Sequence, residues 1–186
     1  FINLLAGASD VDDGHALHAS VIAPQDLPAG VVQAGDTLVV DPSNAAFQNL
    51  AAGEQRVLIV NYSIVDEHGA AVPQSAKITV TGTNDAPTVS VAVTGAAIEG
   101  GPVQVVDLLA GASDIDHNAV LHAEIVGDLP AGMTLVGNTL HVDASDPAYQ
   151  SLAQGEQQFI TVHYNVVDEH GASVAQTAII TVTGAN

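Results

Sequence analysis

The chain has 186 residues, of which 21 are Asp or Glu and only 2 are Lys or Arg, for a formal net charge of −19. Such a surface repels nucleic acid and anionic lipid, both of which need basic side chains to neutralise phosphate, and it favours a cation as partner. Hydrophobic residues make up 47% of the chain in short, strand-length runs, which argues for a folded protein without a membrane-inserted segment. There is no Cys, and hence no disulfide or thiolate metal site.

Internal repetition sets the frame. LLAGASD at Leu4 to Asp10 returns at Leu108 to Asp114, and VDEHGA at Val65 to Ala70 returns at Val167 to Ala172, a period of 102 to 104 residues. That length suits a small self-sufficient domain and exceeds any solenoid unit. The expected domains are residues 1–84 and 85–186. Phe1 aligns with Val105, so the first copy is expected to lack its N-terminal strand, as a piece of a longer tandem array would.

In chain order, Gly35 and Asp36 in AGDT predict a tight hairpin in the first copy. Asn44, Ala45 and Gly53 outline a capped helical turn. TGTNDAP, Thr81 to Pro87, follows as a linker, and Pro87 disfavours helix before it and extends the chain into the next copy.

The second copy predicts strands at about 88–93, 103–109, 119–126, 133–136, 139–143, 157–167 and 173–183. In FITVHYNVV, Ile160, Val162, Tyr164 and Val166 share one face, while Thr161, His163 and Asn165 share the other. Gly137 and Asn138 predict a hairpin. Asp146, Pro147 and Gly155 bracket a single helical turn as cap, first residue and terminator. The fold class expected is all-β: two tandem, Ig-like, seven-stranded β-sandwiches.

Antiparallel neighbours reverse at every turn, so the connections sort to two ends of each sandwich. On that count Asp85, Asp114, Asp116 and Asp168 share one end of the second copy, and Glu54 and Asn84 lie at the facing end of the first. Asp114 and Asp116 project to one side, since side chains alternate along extended chain. Two carboxylates about 4 Å apart repel by about 4 kcal/mol at an effective dielectric of 20. A cluster of them calls for a cation, and an all-oxygen donor set of irregular geometry suits Ca2+ better than Mg2+.

The ordered set Ile98-Glu99-Gly100, ASDID, GEQQFITVHYNVVDEHGA, ITVTG and NDAP resembles the cadherin plan. It is more similar still to the VCBS and cadherin-like repeats of large bacterial RTX-type adhesins, which typically end in GTNDAP. The resemblance covers essentially the whole chain. It implies that calcium is held between the copies by Glu54, Asn84, Asp85, Asp114, Asp116 and Asp168. Asp10, Asp12 and Asp66 would serve a preceding junction, and Glu99, Glu156 and Asn186 a following one. Thr81 stands where the cadherin linker has its first Asp, and Ala52 and Gln154 replace a further Asp, which implies one or two ions rather than three.

The resemblance further implies extender repeats of a secreted cell-surface adhesin, exported by type I secretion, extracellular, and partnered by neighbouring repeats. A carbohydrate- or protein-binding module is the alternative, disfavoured by 3% aromatic residues and no Trp. Enzymatic activity is not expected. His68 and His170 lie beside acids in DEHG, but no nucleophile or oxyanion turn accompanies them. His18 and His122 read as exposed strand residues, and His141 and His163 are Val39 and Asn61 in the first copy, which argues against a zinc site. Tyr62 and Tyr164 read as core.

Overall fold

The computed structural model describes residues 1–11 and 16–185. The chain divides into two compact units, Phe1–Thr83 and Asn84–Asn186. Among the described residues no helix is long and apolar enough to cross a membrane.

The first unit carries β1 (Ile2–Asn3), β2 (His18–Val21), β3 (Val31–Ala34), β4 (Thr37–Val40), β5 (Gln55–Val65) and β6 (Ala71–Thr81). One sheet runs β1-β4-β3 and the other β2-β5-β6, all antiparallel. Leu4, Val21, Leu38, Phe47, Leu58 and Ile78 are among the residues buried between them.

The second unit repeats this plan and extends it with β7 (Thr88–Val89), β8 (Val93–Ile98), β9 (Gln104–Asp107), β10 (Ala112–Ser113), β11 (His122–Ile125), β12 (Met133–Val136), β13 (Thr139–Val142), β14 (Gln157–Val167) and β15 (Ser173–Thr183). Its sheets run β11-β14-β15-β8 and β12-β13-β9, with β10-β7 as a short ribbon. The inward residues of β14, Val162, Tyr164 and Val166, are wholly or almost wholly buried, and Thr161 and His163 are exposed. The alternation of apolar and polar residues along this strand thus places the core correctly.

Of the expected strand 88–93 only Thr88–Val89 pairs as β7, and a further strand that was not foreseen, β8, begins at Val93 with a different partner. β7 pairs antiparallel with β10, and β8 then joins β15 in parallel, Val93 opposite Ala178 through Ile98 opposite Thr183. The unbroken alternation of TVSVAV hides this change of sheet. Two glycines make room for it. A Cβ at Gly111 would lie 2.4 Å from Val91, and one at Gly95 would lie 2.6 Å from Val106 and 2.8 Å from Ile180. Gly95 is thus a site of close approach within a strand.

Two expected strands are also shorter than foreseen because side chains capture their terminal amides. Asp107 Oδ1 accepts from Leu109 N–H at 2.9 Å at the end of β9, and Glu169 Oε2 accepts from Val120 N–H at 2.8 Å before β11. The expected helical turn is a 3-10 turn, Pro147–Tyr149, whose Ala148 N–H donates to Asp146 Oδ1 at 2.9 Å. Asn44 accepts from Ala46 N–H in the same way in the first unit. A second such turn, Pro24–Asp26, was not foreseen.

Both tight hairpins form. Gly35 and Gly137 open their loops at φ 58° and 59°, which suits a type II′ turn with glycine first. The residue after each glycine has a second role. Asp36 Oδ1 accepts from Ala19 N–H at 2.7 Å, and Asn138 Oδ1 accepts from Ala123 N–H at 3.0 Å. The hairpin loop thereby holds the first residues of β2 or β11, which belong to the opposite sheet.

Candidate functional site

The best-formed polar cluster lies at the end of the second unit where its chain begins. Asp168 follows the last residue of β14 and builds the turn there. Its Oδ1 accepts from the N–H groups of His170 at 2.8 Å and Ala172 at 2.9 Å, and its backbone N–H donates to Ala172 O at 3.0 Å. Gly171 completes the turn at φ 89°, a conformation that favours glycine. Oδ2 accepts from Asn84 Nδ2 at 2.7 Å.

Asp168 is only 2% exposed. Burial pushes its carboxyl up, but the Asn84 amide and the N–H groups of His170, Ala172 and Gly171 outweigh this and leave it below the ordinary carboxylate value.

Asp114 and Asp116 sit beside this turn in the segment after β10. Asp116 N–H donates to Asp114 Oδ1 at 2.9 Å, and Asp85 N–H donates to Asp116 Oδ2 at 2.9 Å. The same Asn84 amide also donates to Asp85 O at 2.9 Å. Asn84, Asp85, Asp114, Asp116 and Asp168 therefore form one connected group within the second unit. Asp114 Oδ2 and Asp116 Oδ1 are buried with no hydrogen-bond partner.

An orphaned carboxylate oxygen is costly, because nothing replaces the water it loses. No Lys or Arg occurs beyond Lys77, so no ammonium or guanidinium group of this unit supplies the missing positive charge. The donors are carboxylate, amide and carbonyl oxygens, the chemistry a hard divalent cation takes.

Among the described residues, however, no group of three or more His, Cys, Asp or Glu side chains forms an arrangement that could hold a metal ion. Much of the carboxylate capacity is already engaged by amide donors. The donor chemistry fits calcium, with two buried oxygens unsatisfied, and the side chains are not gathered into a cage.

Of the other expected ligands, Glu54, Asp10 and Asp66 belong to the first unit, and Glu99 and Glu156 to other loops of the second. Asp66 repeats the Asp168 turn in the first unit, its Oδ1 accepting from His68 and Ala70 N–H at 2.8 Å each. The Ala70 bond chiefly lowers its pKa, burial opposes, and the His68 and Gly69 N–H groups and the His68 ring lower it further. Asp10 lines an open groove near Asp66. Asp12 and Asn186 lie outside the described residues.

Glu99, 6% exposed, receives Ala185 N–H on Oε2 at 3.1 Å, while Oε1 is buried without a partner. Glu156 is exposed and receives Ala153 N–H at 2.8 Å. Glu54 receives Ala51 N–H at 3.0 Å in the corresponding loop of the first unit. The two loops are matched by a close approach. A Cβ on Gly82 would lie 2.1 Å from Leu50 O, and one on Gly184 would lie 2.2 Å from Ala153 O.

Sequence reasoning passed over Glu67 and Glu169. Glu67 Oε2 accepts from Ala16 N–H at 3.0 Å, as Glu169 does from Val120. The recurrence of Glu in both DEHG motifs was the available signal, and a hydrogen bond across 49 or 51 positions cannot be read from it. His170 Nδ1 stands 3.5 Å from Glu169 and is partly exposed, so this His-acid pair is a surface contact.

No protein-family model matches the chain, and no curated protein sequence matches it. Solved structures do. Human mucin-like protocadherin EC1-2 is 16% identical with a TM-score of 0.52, over 95% of this chain and 87% of that one. Mouse cadherin-23 EC22-24 is 12% identical with a TM-score of 0.52, over 90% of this chain and 52% of that one. The protocadherin GammaB4 extracellular domain is 14% identical with a TM-score of 0.50, over 91% of this chain and 27% of that one. The fold is cadherin-like. At these identities the likeness describes architecture alone.

Proposed function

We propose that the two cadherin-like units are calcium-responsive extender repeats of a secreted cell-surface adhesin. They would be of the VCBS and RTX-adhesin kind that the sequence resembles, and would hold a binding region away from the cell. The observation that carries this proposal is the pair of buried, unpartnered oxygens on Asp114 and Asp116, next to Asp168 and the linker residues Asn84 and Asp85. These five residues would hold the ion. Bound there, calcium supplies the positive charge that the unit lacks.

Extracellular modules bind calcium with dissociation constants of about 10⁻⁴ to 10⁻³ M, so the repeats would be stiffened outside the cell and looser in calcium-poor cytosol. Type I secretion and the surface location rest on the sequence resemblance. The alternative, a carbohydrate-binding module, has few aromatic rings to stack a sugar: there is no Trp, and Phe47, Tyr149 and Tyr164 are buried, which leaves Phe1 and Phe159 as the exposed rings.

The test is thermal unfolding and X-ray scattering of the whole chain with millimolar calcium and with chelator, for the native protein and Asp116→Asn. Calcium is expected to raise the melting temperature and narrow the scattering ensemble in the native protein only. Glu54→Gln tests the share that the sequence resemblance gives that residue. Melting and scattering indifferent to calcium in the native protein would sink the proposal.

A further inference from the structure

The first unit carries a motif that the calcium chemistry leaves unused. Asn61-Tyr62-Ser63 has the pattern Asn-x-Ser with x other than proline, and no other Asn of the sequence is followed two positions later by Ser or Thr. This is the acceptor pattern for N-linked sugar, in which the hydroxyl two residues on is read together with the asparagine.

The motif lies on β5 with Asn61 facing solvent. The alternation of that strand buries Leu58 and Val60 and leaves Ile59 and Asn61 exposed. The Asn61 backbone carbonyl accepts from Ile22 N–H at 3.1 Å, but among the described residues no hydrogen bond engages its side-chain amide. The outward position belongs to the fold. The matching residue of the second unit, His163, is also exposed, on a sheet that has all four of its strands.

Beside Asn61 lies apolar surface. Ile22, Leu27, Pro28 and Ile59 line with it a depression of about 200 Å³, and Ile22 is 61% and Ile59 53% exposed. The second unit has His163 in place of Asn61 and Thr161 in place of Ile59, so the acceptor and its apolar floor occur together in one unit and are both replaced in the other. A pyranose ring has an apolar face of C–H groups. A sugar on Asn61 would lay that face over Ile22 and Ile59 and take apolar surface out of water.

We propose that Asn61 is a site of N-linked glycosylation. The side-chain nitrogen of Asn61 bonds to the anomeric carbon of a sugar carried on phosphate, either a nucleotide sugar or a lipid-linked oligosaccharide. The bond from that carbon to the phosphate oxygen breaks, the phosphate leaves with the electron pair, and the amide proton passes to a base of the transferase, a separate protein. Attachment precedes folding. In the folded unit the Asn61–Ser63 backbone is held between Ser20 and Ile22 on one side and Pro73 and Ser75 on the other, so an enzyme must bind this segment before the sheet closes. The proposal is independent of calcium.

The test is peptide mass spectrometry of the protein isolated from the cells that produce it. Arg56 and Lys77 are the two basic residues of the sequence, so trypsin releases Val57–Lys77, in which Asn61 is the one Asn. The expected result is this peptide carrying hexose or N-acetylhexosamine on Asn61. A single sugar would identify a nucleotide-sugar donor, and a preassembled block a lipid-linked one. Ser63→Ala is expected to abolish the modification and Ser63→Thr to retain it, outcomes that peptide mapping reads whether or not the variant folds. A bare Val57–Lys77 peptide from the native protein would overturn the proposal. So would sugar on a serine of that peptide, or modification that survives Ser63→Ala.

Discussion

The side-chain amide of Asn84 donates to Asp168 Oδ2 at 2.7 Å, joining residues 84 positions apart. The same amide bonds Asp85 O, so one side chain ties the start of the second unit to the turn after β14. Asn84 is thus structurally part of the second unit, although the sequence repeat places it as the last residue of the first domain.

Asn84→Ala removes a hydrogen bond to a buried, charged carboxylate, an interaction worth about 1.5–3 kcal/mol. The second unit is expected to lose about that much stability, and the Asp168 carboxyl to titrate at higher pH. Urea unfolding followed by tyrosine fluorescence, together with carboxyl NMR of Asp168, measures both. Unchanged titration would mean that the backbone N–H groups alone set its charge.

Acid stability depends on the same turns. Asp168 and Asp66 have folded pKa values below the ordinary 3.8. Their contribution is therefore complete above the unfolded value and is lost as pH falls through the folded one. The melting temperature should owe these groups no change from pH 7 down to about 5, and a decline below about 4. Asp168→Asn is expected to flatten that acid decline, measured by melting curves across the range.

Gly82→Ala and Gly53→Ala separate two reasons for glycine in one loop. Gly53 has φ 75° with open space around a Cβ, so alanine there costs only the left-handed conformation, about 1–2 kcal/mol. Gly82 does not have a positive φ, but its Cβ would overlap Leu50 O, and overpacking of this kind costs about 1–3 kcal/mol or more. Gly82→Ala should be the more damaging in thermal unfolding, with exchange raised at Gly53 N–H, whose bond to Gly82 O is 3.0 Å.

Asn138→Ala leaves the Ala123 N–H without its acceptor and is expected to destabilise the second unit by about 1–3 kcal/mol. Amide exchange at Ala123 reports it directly. Asn138→Asp keeps the acceptor, as Asp36 does in the first unit, and is expected to restore most of the loss.

The long strands, the hairpins and the capped turn were legible because each depends on residues close in sequence: period-two apolar positions in β14, glycine at the head of VGNT, and Asp146 before Pro147. The sheet change at Ser90–Ala92 was not legible, since it is set by space at Gly95 and Gly111 against residues far along the chain. The candidate site divides in the same way. Repetition singled out Asp114, Asp116 and Asp168, but their hydrogen bonds to Asn84 and Asp85 emerge only in the fold. Glu67 and Glu169 were missed because their amide partners lie across the sandwich end.

The overlap that would arise at Gly82 and again at Gly184 has a consequence for how such a chain can change over time. Each unit ends at a pinch that admits no side chain, so the exit point of the polypeptide is fixed by packing within the unit and does not depend on the residues that come next. Units of this kind can be duplicated or reordered with their last strand still held in place.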